Sequence, residues 1–163
     1  ETYKRPEQLI EMLVDIISKN GNMLLNILQR PDGTLDEEAE YILEEMGKWF
    51  SVCAEGVYGT RPYRVFGEGA TRVLIEGFTE NKTDWTEEDY RFTQKENTVY
   101  AFLMKAPKGR AAVIKSLLPN EQVKRVRLLG AGEVPFAQNY GIVTVKLPDN
   151  LPVKCANCLA LDM

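Results

Sequence analysis

Three polar residues, Gln29, Arg30 and Asp32, follow a short apolar run and precede a predicted helix. Loops after the strands build the active-site face of an α/β barrel, so these side chains would face a substrate if Met23–Leu28 is a barrel strand. An amide, a guanidinium and a carboxylate could then hydrogen-bond a polar ligand. The same residues suit a plain turn, because Asp32-Gly33 bends the chain and Arg30 would be solvated. The sequence leaves both interpretations open.

Adjacent carboxylates recur along the chain, in Glu37-Glu38, Glu44-Glu45 and Glu87-Glu88-Asp89. General acid–base catalysis needs two carboxyl groups that converge across a cleft and whose environments separate their pKa values. Carboxylates in the first turn of a helix instead interact favourably with the positive end of the helix dipole. We therefore interpret the first two pairs as solvated helix faces.

The 163 residues include no histidine, which excludes Ser-His-Asp and Cys-His catalysis and His-ligated metal sites. Of the three cysteines, Cys155 and Cys158 form a lone C-x-x-C motif without the second pair that a structural zinc site requires. We predict that this motif lies in a final strand, Val153–Leu161, where residues three apart point to opposite faces. The two thiols are therefore predicted to bind no metal.

The amino-acid composition disfavours two kinds of partner, nucleic acid and a membrane. The chain has 20 basic and 24 acidic residues, for a net charge of -4, which disfavours phosphate-mediated binding of nucleic acid. No apolar run approaches the ~20 residues that a membrane-spanning helix needs. We expect neither a nucleic-acid partner nor a membrane span.

In the first 60 or so residues, apolar side chains recur at helical spacing before and after one continuous apolar run. Pro6 suits the first turn of a helix, and Gly21 is placed to end it. Met23–Leu28 lacks polar alternation, which is typical of a strand buried on both faces. Thr34–Glu37 has the capping-box pattern, and the second helix is predicted to end near Gly56. We expect five apolar residues to pack together: Leu24, Ile27, Ile42, Met46 and Trp49.

A single parallel-type strand has no partner within this helix-strand-helix segment, so its backbone groups would be unpaired. The segment therefore fits a part of a larger α/β sheet or barrel. Residues 63–87 are predicted to be a connector. In it, Asn81-Lys82-Thr83 matches the N-glycosylation sequon.

From about Tyr90 the apolar period changes to two, with turns between short runs. This pattern predicts an antiparallel sandwich of at least five strands. Trp85 and Tyr140 could stack on a sugar face or could simply fill a core. The predicted strands lie at Tyr90–Phe92, Thr98–Met104, Ala112–Leu117, Val123–Leu129, Gly141–Leu147 and Val153–Leu161.

The first part of the chain contains the segment Ser18-Lys19-Asn20-Gly21-Asn22-Met23-Leu24-Leu25-Asn26-Ile27, followed by Asp32-Gly33-Thr34, Gly47-Lys48-Trp49 and Glu55–Pro62. In sequence, order and approximate spacing, these segments resemble the α-L-fucosidases of glycoside hydrolase family twenty-nine. Later segments are similar to the family's C-terminal sandwich: Arg91-Phe92-Thr93, Asn97–Ala101 and Val126–Gly130. One departure is Leu28-Gln29, where the family often has Gly-Pro.

The resemblance implies an α+β chain with three parts: residues 1–62 as the C-terminal end of a catalytic (β/α)8-type barrel, a connector at 63–87, and an antiparallel β-sandwich at 88–163. It implies retaining hydrolysis of terminal α-L-fucosyl linkages by an Asp nucleophile and a Glu acid/base. In the family both residues, and the histidines that hold the fucose, lie before the segment matched here. No catalytic residue, metal or cofactor is therefore assigned to this chain, and Gln29, Arg30 and Asp32 are the substrate-proximal candidates.

The partners implied by the resemblance are the N-terminal barrel portion of the same protein and fucosylated glycans. It also implies a secreted, periplasmic or lysosomal setting. A second class stays open, a non-catalytic carbohydrate-binding β-sandwich module. The orphan apolar strand favours the enzyme fragment, because a self-sufficient module would not carry it.

Overall fold

The computed structural model describes residues 3–76, 79, 80 and 82–163, and the side chains of all of these except 75, 76, 79 and 80. Two α-helices come first, α1 (Pro6–Ser18) and α2 (Glu37–Cys53), and a 3-10 turn, Ala54–Gly56, follows the second. The strands are β1 (Arg61–Glu68), β2 (Ile75–Glu76), β3 (Thr79–Glu80), β4 (Tyr90–Lys95), β5 (Thr98–Leu103), β6 (Ala111–Ile114), β7 (Arg125–Leu128), β8 (Gly132–Glu133), β9 (Phe136–Asn139), β10 (Ile142–Lys146) and β11 (Asn157–Asp162).

Both predicted helices form, with small differences at their ends. Pro6 lies in the first turn of α1 as expected, but the left-handed residue after the helix is Asn20 (φ 64°) and not Gly21. The N-cap of α2 is Asp36, whose Oδ1 accepts the Ala39 N–H at 2.7 Å, so the predicted capping box at Thr34–Glu37 is wrong. A carboxylate at this position satisfies a free N–H and favours the helix dipole.

The predicted buried strand at Met23–Leu28 does not form in this chain. The segment has no regular secondary structure, and its burial alternates, with Met23, Leu25 and Ile27 half-buried. Leu24 is 97% exposed and Leu28 is 51% exposed. The physical reason is that a strand needs a neighbour for its backbone hydrogen bonds, and no described residue pairs with this segment.

The predicted antiparallel sandwich is confirmed. Among the described residues, one sheet has six strands in the order β1-β4-β5-β11-β7-β8, and a second has three in the order β6-β10-β9. β2 and β3 pair only with each other. β1 overlaps the first residues of the predicted connector and pairs with β4. The register slips there: Pro62 lies opposite Thr93 and Gly67 opposite Arg91, which marks a bulge.

The large sheet is buried on both faces. Val99, Ala101 and Leu103 of β5 point into the core between the two sheets. Tyr100 and Phe102 point to the other face, which the two helices cover. Burial on both faces explains why this strand lacks polar alternation from Val99 to Leu103, as in a central layer. The molecule therefore has three layers: helices, large sheet and small sheet.

α2 packs on the large sheet through its predicted apolar face. Ile42, Met46 and Trp49 are buried there as expected, whereas Leu24 is exposed and Ile27 is half-buried outside this cluster. The Trp49 ring lies 6.1 Å from that of Phe102, and its Nε1 donates to the Cys155 and Ala156 carbonyls at 3.1 and 3.2 Å. No helix in the described part of the chain is long and apolar enough to cross a membrane.

Candidate functional site

The segment that carries Gln29, Arg30 and Asp32 is a tight turn between the unpaired apolar segment and α2. The Arg30 carbonyl accepts the Gly33 N–H at 2.9 Å, and the Arg30 N–H donates to the Thr34 carbonyl at 2.8 Å. Gly33 takes a positive φ of 84°, which glycine adopts at little steric cost. The sequence folds this way because Pro31, Asp32 and Gly33 each favour a turn position.

The charged side chains of this turn are held by the turn itself. Asp32 Oδ1 accepts the Thr34 N–H at 3.0 Å and the Thr34 hydroxyl at 2.7 Å, which lowers the pKa of Asp32. Arg30 Nη1 donates to the Leu35 carbonyl at 2.9 Å. Gln29 is exposed, and its side chain has no hydrogen-bond partner within the described residues. The turn thus brings Arg30 and Asp32 together around Thr34 and leaves Gln29 facing solvent.

An open groove of about 870 Å³ lies beside this turn. Its lining combines Leu9 of α1, Ile42 of α2 and the half-buried Leu25 and Ile27 of the unpaired segment. At its edge the Tyr3 hydroxyl donates to Asp36, which lowers the pKa of that carboxyl. The lining also includes Lys4, Asn26 and Asp36, so the groove offers both apolar contact area and polar groups.

The paired carboxylates do not form a catalytic dyad in this chain. Glu37, Glu38 and Glu44 are exposed. Glu45 departs from the predicted solvated face, because its side chain is 9% exposed and binds Lys48 Nζ at 2.5 Å and Lys154 Nζ at 2.8 Å. Hydrogen bonds from these two lysines lower the pKa of Glu45. A carboxylate held ionised by two cations is a poor general acid.

The three cysteines lie in apolar surroundings. The predicted final strand forms as β11, but it starts at Asn157 and not at Val153, so Cys158 lies in the strand and Cys155 precedes it. Ala156 takes a positive φ of 44° between the two thiols. Burial raises the pKa of Cys53 and Cys155 to about 12 and that of Cys158 well above its usual range. No group of three or more potential metal ligands occurs in the part of the chain described.

Two ionic clusters that sequence reasoning missed tie the helical part to the sheets. In the first, Arg91 of β4 is buried and donates from Nε to Asp15 of α1 at 2.7 Å. Its guanidinium lies 4.9 Å from the centre of the Trp85 ring and 5.1 Å from that of Phe66. No local signal in the sequence pairs positions 15 and 91.

The second cluster is centred on Arg127 of β7. Its Nη1 and Nη2 donate to the two Glu55 oxygens at 2.9 and 2.8 Å, and its Nε donates to Asp162 at 2.9 Å. Burial opposes ionisation of Asp162, but hydrogen bonds from Arg127, Thr98 and Arg125 lower its pKa to about 2. The cluster fixes the 3-10 turn after α2 to the large sheet through β7 and β11.

The two aromatic residues considered for sugar stacking differ in burial. Trp85 is buried beneath Arg91 and is a core residue. Tyr140 is 77% exposed. The sequon prediction rests on Asn81, which lies outside the described residues.

Comparisons with known proteins assign the helical part and the sandwich to the same family. The family model described as α-L-fucosidase matches residues 1–55, and that of the α-L-fucosidase C-terminal domain matches residues 82–162. The chain belongs to the α-L-fucosidase family. The resemblance found in the sequence is thereby confirmed.

Curated relatives of the α-L-fucosidase family align with nearly all of this chain. Human plasma α-L-fucosidase is 32% identical over an alignment that covers 98% of this chain and 32% of that protein. Mouse tissue α-L-fucosidase is 30% identical, with 98% of this chain and 33% of that protein covered. The chain thus spans about a third of the length of the curated relatives it matches.

Solved α-L-fucosidase structures share its fold. The Thermotoga maritima α-fucosidase in complex with fucose is 26% identical, with a TM-score of 0.73, over 99% of this chain and 35% of that one. Isoenzyme 1 of Paenibacillus thiaminolyticus is also 26% identical, with a TM-score of 0.72, over 98% of this chain and 35% of that one. The predicted fold class, a barrel remnant followed by a β-sandwich, agrees with these similarities.

Proposed function

We propose that this chain is the C-terminal part of a retaining α-L-fucosidase, a glycosidase that hydrolyses terminal α-L-fucosyl linkages of glycans. The observation that carries the proposal is the order of the two family matches, 1–55 and then 82–162, on one chain. The nucleophile and the acid/base then lie in a preceding barrel portion, and the chain supplies the end of the barrel and its supporting sandwich.

The unpaired apolar segment supports this proposal. Leu24 and Leu28 are exposed although they belong to the most apolar run of the first 60 residues. Removing such side chains from water stabilises a fold by roughly 1.5–3 kcal/mol each, so their exposure calls for a partner. In the proposed protein that partner is the rest of the barrel. An adjacent barrel strand would also form backbone hydrogen bonds with Met23–Leu28. A self-sufficient carbohydrate-binding module would gain nothing from this segment.

The proposed division of the chain is 1–62 as barrel end, 63–87 as connector and 88–163 as sandwich. β1 and the Arg91–Asp15 pair cross these bounds, so the parts would move as one body. Gln29, Arg30 and Asp32 follow the proposed barrel strand directly, which would set them on the loop side of the barrel, where substrates bind. Their proposed role is to contact the substrate and not to break the bond.

An assay on 4-nitrophenyl α-L-fucoside tests the proposal. The 163-residue chain is expected to release no nitrophenol, because it carries neither family carboxylate. A longer protein, produced from the source coding sequence that includes the region ahead of Glu1, is expected to turn the fucoside over and to leave 4-nitrophenyl β-galactoside intact. Asp32→Asn in the longer protein should raise KM more than it lowers kcat.

Two results would overturn the proposal. One is a longer protein, folded by circular dichroism, that does not hydrolyse the fucoside. The other is hydrolysis by the 163-residue chain that Asp32→Asn abolishes. This result would place a reacting carboxylate in this chain and not in the preceding barrel portion.

A further inference from the structure

The tip of the β9–β10 hairpin presents an exposed aromatic ring on a strained backbone. Tyr140 and Gly141 form a two-residue loop between Asn139 and Ile142, which pair across the hairpin. Tyr140 has a φ of 54°, a conformation that a bulky side chain rarely takes and that Asn or Gly would adopt at lower cost. The ring is 77% exposed, so core packing does not explain the tyrosine.

The tip is held rigidly by its surroundings. A Cβ on Gly141 would lie 2.1 Å from the Leu117 carbonyl oxygen, so only glycine fits and the tip presses against the loop that carries Leu118. Gln138 Nε2 donates to the Tyr140 carbonyl at 2.8 Å and to the Glu121 carbonyl at 2.6 Å. Gln138 Oε1 accepts the Val123 N–H at 2.8 Å. The ring is therefore presented on a backbone that is already ordered.

Four exposed residues around the tip are called the hairpin-tip patch: Leu118, Asn139, Tyr140 and Ile142. The Glu121 carboxylate lies beside the patch, because its Oε2 accepts the Leu118 N–H at 2.7 Å. Leu118 is 39% exposed and Ile142 is 44% exposed. Asn139 is exposed and lies opposite Ile142 in the strand register. The patch thus combines an aromatic ring, two aliphatic side chains and one amide, and none of these four side chains is charged.

We propose that the hairpin-tip patch binds one ring of a neutral glycan, with the apolar face of the sugar stacked on Tyr140. The electron-rich face of an aromatic ring attracts polarised C–H bonds, and a carboxamide such as that of Asn139 can bond hydroxyls at the rim of a sugar. Tyr140 offers one stacking face and Asn139 one hydrogen-bonding amide, which are the two kinds of contact that a single sugar ring needs. The choice of fucose as the sugar rests on the proposed function.

Saturation-transfer NMR on the 163-residue chain with methyl α-L-fucoside tests this inference. We expect transfer to the sugar protons and weak saturable binding. Tyr140→Asn should raise Kd by about fivefold to tenfold, the loss expected for one aromatic contact. Asn tolerates a positive φ, so this variant removes the ring and keeps the turn. Tyr140→Phe should retain binding, and so should Tyr41→Ala, which removes an exposed ring from α2.

The inference is overturned if the wild-type chain shows no transfer, if Tyr140→Asn binds as tightly as the wild type, or if Tyr41→Ala loses binding equally. Its failure is separable from that of the proposed function, because the aryl fucoside is a small substrate that needs no second sugar contact. A longer protein that hydrolyses the aryl fucoside while Tyr140→Asn leaves sugar binding intact would refute only the hairpin-tip site.

Discussion

At the scale of single residues, Arg91 illustrates how a buried charge joins two parts of the chain. It is 2% exposed, and its guanidinium is paired with Asp15, bonded to the Tyr90 carbonyl at 2.9 Å and stacked near two aromatic rings. A buried ion pair is costly to break from one side only, because the remaining charge stays desolvated. The pair therefore fixes the position of α1 on the large sheet.

Asp15→Asn should reduce the free energy of unfolding by about 3 kcal/mol, since Arg91 would lose its counter-charge inside the protein. Urea unfolding followed by circular dichroism gives the value. Lys19→Met is the matched control: Lys19 also contacts Asp15 at 2.9 Å but is 40% exposed, and it should cost less than about 1 kcal/mol. Equal losses in the two variants would contradict this account of the cluster.

Glu11 makes the stability of the same region depend on pH. Burial raises the pKa of Glu11 from 4.5 to about 7, although a hydrogen bond with Trp85 lowers it. The folded state therefore keeps a proton that the unfolded chain releases, and this contribution to stability falls as pH rises from about 4.5 to 7. Above about pH 7 the Glu11 carboxylate is ionised in both the folded and the unfolded state, and its burial lowers the free energy of unfolding by an amount that no longer changes with pH.

Glu11→Gln should accordingly be more stable than the wild type at pH 8, by roughly 1–2 kcal/mol once solvent screening of a partly exposed group is included. The advantage should shrink as the pH is lowered towards 4.5. Thermal unfolding at a series of pH values measures both changes. Glu38→Gln, at an exposed position in the first turn of α2, controls for the loss of one charge. An advantage for Glu11→Gln that did not vary with pH would rule this explanation out.

At the scale of elements, the start of α2 depends on one cap. Asp36→Ala removes the acceptor of the Ala39 N–H and should lower the melting temperature by roughly 2–5 °C, with a loss of helical signal. Thr34→Ala should leave the melting temperature nearly unchanged, because the Thr34 hydroxyl donates to Asp32 in the preceding turn and, within the described residues, makes no bond to the helix. The opposite ranking would support the capping box that the sequence predicted.

The elements also show what a sequence can predict. Both helices and strands β4, β5, β6, β7, β10 and β11 were predicted from local periodicity, because their apolar residues recur at the positions that are buried, although the start of β11 was misplaced. The short strands β8 and β9 were not predicted. The strand β1 was missed because Arg61–Glu68 contains a bulge and a charged residue, Glu68, between two glycines, and both features are typical of a connector. Met23–Leu28 was predicted to be a strand because its apolar run is typical of one, but a strand also needs neighbours that this chain does not supply. The turn at Gln29–Thr34 was predictable from its residue types, whereas the pairing of Asp15 with Arg91 depends on tertiary structure alone.

At the scale of the whole molecule, the chain has a complete side and an incomplete side. The two sheets enclose one core, and the helices cover the outer face of the large sheet. The open groove lies beside the two helices, and Leu24 and Leu28 of the unpaired segment are exposed. In the proposed protein, the preceding barrel portion would cover these two leucines.

The proposed barrel predicts opposite effects of one substitution in two contexts. Leu24→Ser should make the 163-residue chain more soluble and reduce its binding of a hydrophobic dye, because Leu24 is 97% exposed there. In the longer protein the same change should lower the free energy of unfolding by about 3 kcal/mol, because Leu24 would be buried against neighbouring strands. Leu74→Ser is the matched control, since Leu74 is 66% exposed and lies outside the proposed barrel portion, so it should have little effect on the stability of either protein. If the two substitutions changed the longer protein equally, Met23–Leu28 would not be a buried barrel strand, and the exposed segment would need another partner.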